Sequence, residues 1–153
     1  MSDAISSIGS KLYRGTLAVA SELPNLKDIS GPSFSRATID TTSHSTPGGY
    51  KDKIVERWDG NEVTFDLNFD PANARHNDVI GDLTTSVAAD DPDTYWLAFP
   101  GAKGQTQWAS IEFRAFLTSF DLSLPVEGVV MASVTLTVTG APTYTANDTR
   151  FPL

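Results

Sequence analysis

The sequence predicts a mainly β domain, an antiparallel sandwich or partly open barrel with one α-helix on its flank. Two runs, 62–69 and 130–139, alternate apolar and polar residues with the period of a half-buried strand. One run, after Asp70-Pro71, instead places apolar residues at helical spacing. Glycine and proline punctuate the chain between strand-like runs, as turns between antiparallel strands require.

In chain order, residues 1–10 are small and polar and read as a flexible arm. Residues 11–20 read as a strand with Tyr13, Leu17 and Val19 on one side and Gly15 interrupting, and 22–32 as a connection broken by Pro24, Gly31 and Pro32. A strand over 34–42 is followed by a polar connection, 43–61, far longer than the ~2–5 residues of a hairpin loop. Long connections in compact domains are functional or disordered. Within it Ser45-Thr46-Pro47-Gly48-Gly49 is a turn: proline presets its own φ and the glycines allow positive φ. Tyr50, Ile54, Val55 and Trp58 stand there among Lys51, Asp52, Lys53, Glu56 and Arg57. Two arrangements satisfy this mixture: an exposed contact surface, or a loop folded back so that Trp58 caps the core.

In 62–69, Val63, Phe65, Leu67 and Phe69 share one face. Asp70 then fits an N-cap and Pro71 the first helical position, giving a helix over about 71–86 with His76, Val79, Ile80, Leu83 and Val87 on its packing face. Residues 88–93 form an acidic linker. Residues 94–99 form a strand with Tyr95, Leu97 and Phe99 on one side, 100–104 a turn, and 107–120 a long strand led by Ile111, Phe113, Ala115 and Leu117. After a connection over 121–128, the strand 130–139 points Val130, Ala132, Val134, Leu136 and Val138 inward and ends at Gly140 and Pro142. The domain organisation is therefore an arm (1–10), a β domain (11–142) and a polar C-terminal tail (143–153).

With 153 residues, 40% of them hydrophobic, the chain reads as one domain with its own core. No run approaches the ~18 apolar residues of a membrane span. The first residues lack the basic flank and apolar stretch of a signal peptide, so a cytoplasm is the default expectation. There is no cysteine, which excludes disulfides, thiolate metal sites and cysteine nucleophiles. A net charge of −8 argues against affinity for a phosphate backbone. Such a charge keeps a protein soluble, and an acidic wall also lets a polyanion pass without sticking.

Catalytic signals are absent. His44 and His76 form no metal-spacing motif, and neither a Gly-x-Ser-x-Gly elbow nor a phosphate loop occurs. Gly101-Ala102-Lys103-Gly104 lies between strands rather than before a helix and reads as a hairpin turn. Asp90, Asp91 and Asp93 lack the alternating ligands of a calcium loop and read as a solvated linker. Neither enzyme, cofactor nor metal is expected. Tyr95, Trp96, Phe99 and Trp108 fit core positions, and they also fit the sugar platform of a carbohydrate-binding β-sandwich, which is the alternative function.

An ordered series of short pieces carries a resemblance. Gly31-Pro32-Ser33, Ser35-Arg36, Thr38-Ile39-Asp40, Ser45-Thr46-Pro47-Gly48-Gly49-Tyr50-Lys51 and Asn68-Phe69-Asp70-Pro71 follow one another ahead of a helix. In this order the chain resembles the major tail tube protein of long-tailed (siphovirus-type) bacteriophages, over residues 10–142. The resemblance implies the tail-tube fold and a virion protein that self-assembles into hexameric rings, stacked as a tube that conducts DNA. It implies a tape-measure protein, a tail terminator and a distal tail protein as partners, and genome DNA as a passenger rather than a ligand. Carried over residue by residue, it puts the contacts between rings at His44, Ser45, Thr46, Pro47, Gly48, Gly49, Tyr50 and Lys51, with Trp58 nearby. The chain beyond Pro142 exceeds the pattern and reads as a further contact arm or a disordered end.

Overall fold

The computed structural model describes residues 8–15, 17–18, 21–84, 92–101 and 108–151. Among the described residues the architecture is mainly β, an antiparallel sheet curled into a half-barrel with one helix against it. Six strands form the sheet: β1 (Lys11–Arg14), β2 (Leu26–Ser30), β7 (Glu62–Asn68), β8 (Asp93–Pro100), β9 (Trp108–Ser123) and β10 (Met131–Asp148). Their order is β1-β8-β9-β10-β7-β2, with every pairing antiparallel. Of the two expected architectures, the partly open barrel is the one the chain adopts.

The alternation in β7 and β10 decides which face is buried. Val63, Phe65 and Leu67 meet Leu136, Val134 and Ala132 across the ladder, all buried. Phe113 and Ala115 of β9, Tyr95 of β8, Leu12 and Leu23 complete this core. The other face of β7 and β10 is polar, with Thr64 and Asp66 beside Thr135 and Ser133. Strand β8 departs from simple alternation because it is covered on both sides. Tyr95 belongs to the main core, whereas Trp96 and Ala98 pack with Tyr13 and Phe151 on the opposite face.

The helix, α1 (Ala74–Thr84), starts later than the Pro71 start expected. Pro71 and Ala72 lie in a turn, where Asp70 Oδ1 accepts from Ala72 N–H at 2.9 Å. The N-cap is Asn73, whose Oδ1 accepts from Arg75 N–H at 2.9 Å. His76 and Val79 are buried, Ile80 is half-buried and Leu83 is exposed; Val87 lies outside the described residues. His76 is a hinge pin. Its Nδ1 accepts from Asp70 N–H at 3.0 Å and its Nε2–H donates to Pro24 O at 2.9 Å, so one ring ties the helix to the start of β2. At the other end Arg14 clamps helix to sheet, donating through Nη2 to Asp82 and, at 2.7 Å, to Asp93. Burial pushes the Asp82 carboxyl upward although Arg14 opposes it.

Three expectations are corrected. Residues 26–30, read as a connection, form β2; a register shift between Leu26 and Ile29 breaks the alternation that would have marked it. Strand β10 does not stop at Gly140 and Pro142. A bulge between Thr139 and Thr143 absorbs them, and Thr143–Thr145 resume pairing with Ser110–Glu112. The end of the described chain is accordingly held in place: Phe151 is buried, its ring 5.4 Å from that of Tyr13. Below it, Asp148 accepts from Ser110 Oγ at 2.5 Å and from Arg150 at 2.6 and 2.8 Å. Third, the strand expected over 34–42 is split between two short ladders, one holding Phe34–Ser35 and the other Thr38–Asp40. Residues 1–7 of the expected arm (1–10), 88–91 of the linker (88–93) and 102–104 of the turn (100–104) fall outside the described residues.

Candidate functional site

The long connection is a projecting hairpin. Its root pairs β3 (Phe34–Ser35) with β6 (Asp59–Gly60), and its shaft pairs β4 (Thr38–Asp40) with β5 (Lys53–Val55). Backbone bonds run the whole way: Asn61 N–H to Ser33 O at 2.9 Å, Glu56 N–H to Ala37 O at 2.9 Å, and Thr41 N–H to Asp52 O at 2.9 Å. The picture of a structureless loop is therefore replaced by a two-stranded arm. The sequence hides it because neither strand has a buried face: all six residues of β4 and β5 are exposed. A lone two-stranded ladder is marginally stable in water. Yet this one carries Ile39, Ile54 and Val55 uncovered.

His44 to Lys51 occupy the tip. There Thr46 Oγ1 accepts from Ser43 N–H at 3.0 Å and Thr46 N–H donates back to Ser43 O at 3.0 Å, closing a turn. Gly48 and Gly49 both have positive φ, 84° and 73°, which a side chain would strain. Tyr50 stands 82% exposed beyond them. The tip residues are thus together, on a scaffold that holds them away from the body. Trp58 is not with them. It lies at the root of the arm, 63% exposed, with the Arg36 guanidinium 4.5 Å from its ring centroid. It does not cap the core. Instead it walls a pocket of about 430 Å³ with Phe34, Gly140, Ala141 and Pro142.

A second apolar surface was not foreseen. The turn between β9 and β10 exposes Leu124, Val126 and Val129, with Leu122 beside them. A signal existed in Leu122-Ser-Leu124-Pro-Val126-Glu-Gly-Val129-Val130, a turn with apolar residues where polar ones are usual.

Other candidates do not assemble into chemistry. His44 is exposed and His76 is bound at both nitrogens to backbone. Asp93 is committed to Arg14, while Asp90 and Asp91 lie outside the described residues. Among the described residues no group of three His, Asp or Glu is placed to hold a metal ion. The sugar platform is not formed: Tyr95 is buried, and Trp96 is buried with its Nε1–H donating to Glu112 at 3.1 Å. Trp108 packs against the cluster around Phe151.

No family model matches the chain, and no curated protein matches it. Solved structures match it in fold. A chain of the PVC sheath–tube complex, from an extracellular contractile injection system, superposes with a TM-score of 0.72 at 15% identity, over 94% of this chain and 92% of that one. A chain of the native gene transfer agent virion gives 0.68 at 15% identity, over 94% and 100%. The SPP1 tail tube gives 0.62 at 15% identity, over 97% and 83%. At such identities the likeness is one of fold.

Proposed function

We propose, from the tail-tube fold that this chain carries, that it is the structural subunit of a tail tube, with no catalytic role. Six copies close side by side into a ring, and rings stack into a hollow tube resident in the tail of a phage or phage-like particle. The observation that carries this reading is the arm. It is a ladder exposed on both faces, with Ile39, Ile54 and Val55 uncovered on its shaft, and projecting from a body that offers it no core. Such an element gains its stability from a neighbour.

Lateral closure uses the sheet. A half-barrel has two edges, here β2 and β1, the latter already bridged to Glu22 at Tyr13, and an edge strand is a template for the next copy. The polar face of β7 and β10, with Glu62, Thr64 and Asp66 beside Thr135 and Ser133, then lines the lumen. In a chain of −8 it repels the DNA that passes. The tape-measure protein, terminator and distal tail protein are the partners that set length and close the ends. Negative-stain electron microscopy of the concentrated protein tests the reading. Hollow tubes or stacked rings are expected; single small particles at every concentration, with and without a tape-measure protein, would overturn it.

A further inference from the structure

The two apolar surfaces lie at opposite ends of the β10–β7 ladder, which runs from Met131 opposite Asn68 to Thr137 opposite Glu62. The β9–β10 turn, with Leu124, Val126 and Val129, leads directly into Met131 at the start of β10. The pocket walled by Phe34, Trp58 and Pro142 sits where β10 bends at Gly140. Nine residues separate these points, roughly 30 Å at ~3.3 Å per residue. A subunit that stacks head to tail must show complementary surfaces at opposite ends, whereas a two-fold pair must show one surface to itself. The charges are complementary as well. Residues 115–130 hold Asp121 and Glu127 and no base. The arm from its root, residues 34–60, holds four bases against four acids and is neutral in a chain of −8 overall, so the complementary charge is Arg36 at the pocket's rim. Arg36 lies over the pocket's Trp58.

We propose that the β9–β10 tip of one copy seats in the Phe34–Trp58–Pro142 pocket of a second copy, with Glu127 beside Arg36, and that this joins successive rings. The inference rests on the tube reading and adds to it the partner of Trp58. Val126 and its apolar neighbours leave water, and the aromatic wall of the pocket is covered, so both surfaces are satisfied by one repeated contact.

The absence of cysteine makes the test clean. Assemblies of the chain carrying both Val126→Cys and Ala141→Cys are oxidised. A ladder of disulfide-linked multimers is expected, absent from either single substitution. Intact tubes without a ladder overturn the seating and leave the tube reading standing. A ladder from protein that never forms tubes keeps the contact and overturns the tube reading; neither tubes nor ladder overturns both. A charge exchange is the independent check. Glu127→Arg is expected to raise the concentration for half-assembly ~10-fold or more, and adding Arg36→Glu to restore it to within ~3-fold. Failure of that rescue in folded protein overturns the Glu127–Arg36 pairing.

Discussion

His76 shows how much one side chain can hold. It is buried and bound at both ring nitrogens, so His76→Ala strands the Asp70 N–H and the Pro24 carbonyl together. A loss of about 2–3 kcal/mol in denaturant unfolding is expected. Asp148 makes a different demand. Hydrogen bonds from Arg150, and then from Ser110, bring its carboxyl down to about 2 from 3.8. A carboxyl lowered in the folded state adds stability above its unfolded value and loses it as pH falls. Thermal stability should therefore fall between about pH 4 and pH 2, and Asp148→Asn should flatten that part of the profile. The sequence hinted at one of these residues and not the other. His76 falls at helical spacing with Val79 and Ile80, but Asp148 sits in a polar stretch whose partner, Ser110, is 38 positions away.

At the scale of elements, legibility followed burial. β7 and the first half of β10 could be read because one face is core and the other water, which writes the period of two into the side chains. β2 could not, since its register shift scrambles the alternation, and neither could the second half of β10, where Gly140 and Pro142 look like a stop and act as a bulge. The arm was recognised by its length and its apolar residues, while its ladder left no pattern because nothing buries it. That independence has a consequence. Deleting residues 46–50 should leave the melting temperature of the body within about 2–3 °C of the parent, because no core residue is touched. The same variant should fail to polymerise. Normal tubes from it would remove the tip from the contact.

For the whole molecule, the tryptophans provide a reporter. Trp96 is buried and Trp108 half-buried, whereas Trp58 is 63% exposed at the foot of the arm. Assembly that covers Trp58 should shift its emission to shorter wavelength, and Trp58→Phe should abolish most of that shift while the soluble protein keeps its fold. An unchanged spectrum on polymerisation would place Trp58 outside the contacts. The general architecture was legible from strand pattern and one helix. The opposed apolar surfaces were not, because they belong to no element's core and acquire meaning only from where the fold puts them.

The run of β10 from Met131 to Gly140 has a metric consequence. If knob and socket flank the β10–β7 ladder, that ladder is the gauge of the filament, and the axial repeat is set by a count of residues. Two residues added to β10 and to each paired strand would preserve every inward and outward face and lengthen the repeat by ~6–7 Å. One residue added would exchange the two faces instead. Such a lattice can therefore change its spacing only in even steps.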